Sequence, residues 1–144
     1  MRFFAIATAL VSVVVAEKFT VIVAENGGLT YTPPSVTAKV GDTIAFQFQA
    51  GNHTVTQSTF ANPCTPMTTP AVGIDSGFLP VAAGATQFPE WSFTIDNASA
   101  PLWFFCNRPP HCSRGMVFAL NPTPERTYDA FLVRIGHILN RSSS

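Results

Sequence analysis

Charge is scarce in this chain and balanced in sign: eight Lys and Arg stand against eight Asp and Glu in 144 residues, 11% of the whole. Without a basic excess there is no electrostatic footprint for nucleic acid. Long apolar runs are also nearly absent. No C-terminal stretch is long enough for a membrane span or for the tail that directs a lipid anchor, so neither is expected. No internal repeat is present. The one unbroken apolar run is at the start, MRFFAIATALVSVVVA (1–16). It carries one positive charge, is too short to span a bilayer comfortably, and ends with the small residues Val14 and Ala16 where a signal peptidase cuts. It reads as a signal peptide, with the mature chain starting at Glu17. Losing Arg2 with it leaves seven basic against eight acidic residues, a net charge of −1. The sequons at Asn52, Asn97 and Asn140 fit an exported, glycosylated chain, and Asn97, in a polar turn, is the first candidate.

Apolar residues are plentiful, with 13 Phe, so the chain can bury a substantial core, and its length suits one domain. Alternating and β-branched runs recur between turn signals: KFTVIVA (18–24), SVTAKV (35–40), DTIAFQFQ (42–49), HTVTQ (53–57), WSFTI (91–95), PLWFFC (101–106) and MVFAL (116–120). In DTIAFQFQ, Ile44, Phe46 and Phe48 fall on one face, and Thr43, Ala45, Gln47 and Gln49 on a solvated one. Two such sheets make an all-β sandwich. The stretch from Ser58 to Pro89 is longer than loop statistics favour and is expected to be an elaborated connection with room for a helical turn, held down by something. After residue 122, Tyr128, Phe131, Leu132, Ile135, Ile138 and Leu139 recur at helical spacing, so the tail (123–144) allows a short amphipathic helix, marginal alone.

Cysteine and histidine are rare, three of each, yet CNRPPHCSRGM (106–116) concentrates Cys106, His111, Cys112 and Met116 in eleven residues. An odd cysteine count in an exported chain leaves one thiol over, and the three pairings of Cys64, Cys106 and Cys112 stay open at this point. Cys106 ends an apolar strand, Pro109 and Pro110 stiffen the loop that carries His111, and Gly115 permits the turn to Met116, so the three donors can face one point. A thiolate, an imidazole and a weak axial thioether suit copper, and a trigonal His₂Cys set with a long Met contact is an electron-transfer copper geometry. His53, directly after Gly51-Asn52 at a strand start, is the better second imidazole; His137 in the tail is the poorer. Singly, each donor has an ordinary reading as half-cystine, core thioether or turn histidine. Jointly those readings are improbable, and zinc would leave Met116 without a role.

HTVTQSTFANPC (53–64) and LWFFCNRPPHCSRGM (102–116) together resemble the cupredoxins, and among them the phytocyanin-like branch with its secreted, serine-rich fungal members. The similarity runs from about residue 18 to 122, within a domain taken as 17–122. It implies a Greek-key β-sandwich holding one mononuclear type 1 copper, with His53, Cys106, His111 and Met116 as ligands and Cys64–Cys112 as the bridge, which would tie the long connection to the ligand loop. The chain departs from the pattern in two places. Thr54 follows the first histidine where many members have Asn, and the chain ends at SSS without a long serine-rich stalk.

Catalysis finds little support. A multi-histidine oxidase cluster needs H-x-H pairs, and none is present; a chain starting at Glu17 has no N-terminal histidine. Asp75, Glu90 and Asp96 lie in turn-like contexts with no glycosidase motif. No catalytic residue is assigned. The expectation is a secreted, monomeric electron carrier serving a redox protein or small redox partner. The alternative is a cell-wall module that sequesters copper or contacts polysaccharide.

Overall fold

The structure, a computed structural model, describes residue 4 and residues 8–142, with side chains only as far as residue 136. Among these, residues 8–16 form no regular element and lie outside the core, with Leu10 96% exposed.

Two four-stranded sheets pack face to face. The first has the order β2–β1–β4–β8, made of β1 (Lys18–Val23), β2 (Tyr31–Thr32), β4 (Thr43–Phe48) and β8 (Glu90–Thr94). The second has the order β3–β10–β9–β6, made of β3 (Ser35–Val36), β6 (Thr56–Ser58), β9 (Leu102–Phe105) and β10 (Val117–Leu120). Strands β1 and β4 run parallel, as do β3 and β10, while the other pairs are antiparallel. The chain passes to the second sheet after β2, returns after β3, crosses again between β4 and β6 and back between β6 and β8, and enters the second sheet once more after β8, with β10 reached from β9 through the 106–116 loop, which is the expected Greek-key sandwich. A two-stranded ribbon, β5 (Gly51–His53) with β7 (Leu79–Val81), stands beside it.

Alternation in β4 sends Ile44, Phe46 and Phe48 into the space between the sheets, where they meet Val21, Val23, Phe104, Phe118 and Leu120. Phe46 meets Phe118 edge-on, centroids 5.2 Å apart, an arrangement worth about 0.5–1.5 kcal/mol beyond its buried area. Ala45, expected on the solvated face, is fully buried. It is a methyl flanked across the sheet by Thr20 and Ser92, on a strand paired along both edges.

Other expectations need adjustment. SVTAKV forms strand only over Ser35–Val36, because Asp42 turns the chain back, its carboxylate accepting the Lys39 N–H at 2.7 Å. HTVTQ is cut in two: His53 ends the ribbon and Thr56 begins a strand of the second sheet. The 58–89 connection has no helical turn. It contributes β7 and is clamped to the β6 segment, where Gln57 N–H donates to Ile74 O at 2.9 Å and Val55 N–H to Ser76 Oγ at 2.8 Å.

The tail belongs to the packed body. Helix α1 (Tyr128–Ser142) lays Phe131 and Ile135 on Trp103, Phe105, Val117 and Ala119, the outer face of β9 and β10. This explains why LWFF and VFAL lack polar alternation, since a strand covered on both faces reads as a continuous apolar run. Tail packing also removes the marginality of an isolated short helix. Phe131→Ala should cost about 3–5 kcal/mol, the usual range for emptying a buried Phe site, seen as a lower urea midpoint at unchanged slope. A loss below about 1 kcal/mol would mean that the helix is not held by this core.

Candidate metal centre

Three segments bring the donors together. Strand β5 ends on His53, whose ring lies against Gly51: a Cβ there would come 2.9 Å from His53 Nε2, and the residue has φ +66°, so glycine alone fits. Strand β9 hands on to Cys106, and the loop beyond it folds on its own backbone. Cys106 N–H donates to Met116 O at 3.1 Å, Met116 N–H to His111 O at 3.1 Å, and His111 N–H to Arg108 O at 2.8 Å. A single 3-10 turn, Cys112–Arg114, follows His111 and is closed by Gly115 at φ +91°. Cys106 Sγ consequently lies 3.7 Å from His53 Nδ1 and 3.4 Å from His111 Nδ1, with all three donor atoms within 4.8 Å of one another. Met116 is wholly buried, its backbone bonded to both neighbouring donors' residues. Of the two histidines, His53 is buried and His111 half-buried. The side chain of His137 lies outside the described residues.

Burial, the facing His111 and the Arg108 charge together hold the His53 pKa down to about 4, and burial with Arg108 and Arg114 lowers that of His111. Both imidazoles are therefore neutral, the form in which a ring nitrogen can bind a metal.

No family model matches the chain. Two curated proteins of Arthroderma benhamiae do: "Probable GPI-anchored cupredoxin-1", 36% identical over 114 residues, covering 79% of this chain and 56% of that protein, and "Extracellular serine-rich protein", 32% identical over 116 residues, covering 80% and 43%. The chain thus spans about half the length of the curated relatives it matches. Among solved structures, a mutant plastocyanin of fern superposes with a TM-score of 0.50 at 21% identity, covering 71% of this chain and 97% of that one. The chain has the cupredoxin fold and is related in sequence to a fungal cupredoxin. The cofactor of this family is type 1 copper, and the donors fit it. With first-row metal bonds of about 2.05 Å to nitrogen and about 2.3 Å to sulfur, a trigonal site separates N from S by about 3.8 Å, close to the spacing found.

A hydroxyl fastens the two donor-bearing segments to each other. Asn107 N–H donates to Thr54 Oγ1 at 2.8 Å, joining the residue after Cys106 to the residue after His53. Thr54 and Thr56 hydroxyls are 2.7 Å apart, and Thr56 donates to Asp75 Oδ1 at 3.1 Å. The buried Tyr31 hydroxyl also donates to Thr54 O at 2.6 Å; burial, then the nearby Cys106 and Asp75, push its pKa well above the usual value. Thr54 stood out in the sequence only as a departure from the family's Asn; Tyr31 gave no signal there. The bridge joins Cys64 to Cys112, Cα atoms 5.8 Å apart, leaving Cys106 as the free, buried thiol. Asn97 is exposed, its side chain accepting the Ser99 N–H at 2.8 Å, whereas Asn52 is half-buried and the Asn140 side chain lies outside the described residues.

Thr54→Val keeps the shape and removes the acceptor, so the Asn107 N–H loses its partner. The variant should lose about 1–3 kcal/mol, and Thr54→Ser should recover most of it, as read by chemical denaturation. Equal losses in Val and Ser variants would point to packing instead.

Acid should weaken the metal-free protein through His53. The unfolded imidazole titrates near 6.5 and the folded one near 4, so between those values the unfolded chain binds more protons and stability rises with pH. The contribution is complete above about pH 6.5 and is lost as pH falls through about 4. The denaturation midpoint of wild type should fall more steeply across this window than that of His53→Gln. Parallel curves would show that the His53 ring is not buried as described.

Proposed function

We propose that this chain is an exported electron carrier that cycles one type 1 copper held by His53, Cys106, His111 and Met116. The observation that carries the reading is the convergence of one free thiol and two neutral imidazoles on a single point, with the segments that bear them joined by backbone bonds. The copper, when bound, supplies the one-electron couple. The protein's part is to keep the donors in one geometry for both oxidation states, so that little rearranges when the electron moves. Gly51, the Met116–Cys106 and Met116–His111 backbone bonds and the Thr54 hydroxyl serve that end. Met116, the weakest of the four contacts, adjusts the potential. Half-buried His111, beside the exposed Pro109 and Pro110, is the route for the electron to a redox partner.

Export is supported by the apolar leader at 1–16 and by the printed names of the two relatives, one GPI-anchored and one extracellular. No helix among the described residues is long and apolar enough to cross a membrane.

Copper loading of the chain from Glu17 onward tests the ligand set. The wild type should develop an intense visible charge-transfer band that Cys106→Ser abolishes, while Met116→Leu keeps the band and one copper but raises the potential. A band that survives Cys106→Ser overturns the site, and an unmoved potential in Met116→Leu removes Met116 from it.

A further inference from the structure

The positive charges of this chain are unevenly placed. Lys18 is paired with Glu90 at 2.7 Å, the one ion pair among the described residues, and Lys39 sits beside Asp42 in a turn. Three arginines are different. Arg108, two residues past Cys106, is exposed and reaches back to Asn52 O at 3.4 Å, spanning both ligand segments. Arg114 is exposed in the turn after His111, its N–H bonded to His111 O at 3.1 Å. Arg134 is exposed on α1, its guanidinium 4.5 Å from the Phe60 ring centre. Ile135, the next residue, joins Pro109, Pro110, Phe105 and the Cys64–Cys112 bridge around an apolar cavity of about 310 Å³, with Arg108 on its wall. The carboxylate tied into this end, Asp75, is engaged by the Thr56 hydroxyl and by the Gly77 N–H at 2.9 Å. Arg126 also lies over Phe60 but has Glu125 and Asp129 near it in the chain, so it is left out of the set.

We propose that this end of the sandwich docks a protein partner with an acidic surface, selected by Arg108 on the wall of the apolar cavity and by Arg114 and Arg134, each next in the chain to a residue that lines it, Ser113 and Ile135. The inference rests on the carrier reading above and adds to it the chemistry of the partner. An apolar centre with an arginine-bearing edge is the composition of a protein interface, and the planar guanidinium grips carboxylates in pairs. A neutral polysaccharide gives three guanidiniums nothing to neutralise. The mature chain has a net charge of −1, so setting these three apart leaves the rest at −4. That asymmetry turns an acidic partner toward His111 and draws a basic one to other faces.

Stopped-flow oxidation of the copper(I) protein by hexacyanoferrate(III), an anion, and by tris(phenanthroline)cobalt(III), a cation, tests this across ionic strength. The anion's rate should fall at least about tenfold from low to high salt and the cation's should rise. The triple variant Arg108→Gln, Arg114→Gln, Arg134→Gln should lose both slopes while keeping the visible band and one bound copper. A deca-aspartate peptide should compete with hexacyanoferrate on wild type and not on the variant. Fast self-exchange with salt-independent rates for both probes would overturn the acidic-partner face and leave the carrier standing. Slow self-exchange, with slow reaction toward both probes, would overturn the carrier reading itself. Retention on polygalacturonate at physiological salt, equal with and without copper and lost in the triple variant, would reassign the face to an anionic wall polymer and overturn a protein partner.

Discussion

A thiol and two imidazoles lie within 4.8 Å of one another, and the fold is arranged to keep that cluster from relaxing. The lever is strand β9. Its inner side packs Phe104 into the sandwich against Phe46 and Phe118, and its outer side packs Trp103 and Phe105 under Phe131 of the helix. A strand gripped on both faces cannot slide or rotate, because a one-residue slip would exchange its two sets of side chains. Cys106, the next residue, inherits that rigidity. His111 and Met116 are then referenced to it by backbone bonds, and His53 by the Asn107–Thr54 bond.

This hierarchy explains which features could be read from the sequence. The ligand loop was legible because all its chemistry lies within eleven residues, where spacing and residue type constrain the geometry directly. His53, some fifty residues away, is signalled in the sequence only by its turn context and by the resemblance, and the fold brings it to the sulfur. The ribbon strand β7 and the division of HTVTQ between two sheets were not legible, since both depend on pairing with distant partners and leave no local periodicity. The helix was half-legible. Its own spacing is amphipathic, but the complementary sign, two strands without polar alternation, lies in PLWFFC and MVFAL and gains meaning only when the two are set together.

The hydroxyl network shows why an apparent departure from a family pattern need not loosen a site. A carboxylate oxygen only accepts, so the single hydrogen of Thr56 is committed to Asp75; the hydrogen of Thr54 is then committed to Thr56, and Thr54 is left as the acceptor that Asn107 requires. Each donor has one acceptor, and no alternative orientation satisfies them all. A side chain shorter than Asn thus fixes the two ligand segments by being fixed itself, through a chain that ends in the long connection. That connection is secured at its other end by the Cys64–Cys112 bridge, so the ligand loop is fastened from both sides.

The helix ties these mechanical facts to recognition. It covers the outer face of β9 and β10 because a sheet so apolar on both sides must be covered, and in doing so it brings Ile135 to the edge of the ligand loop and Arg134 to the aromatic cluster beneath it. Phe60, which receives the guanidinium, stacks with Phe131 and Trp103 in that same cluster. Arg134 is therefore anchored on the same aromatic cluster that supports β9. Loss of the helix would remove part of the proposed docking face together with the support of β9, so the rigidity of the donor cluster and the surface proposed to select a partner arise from one packing arrangement.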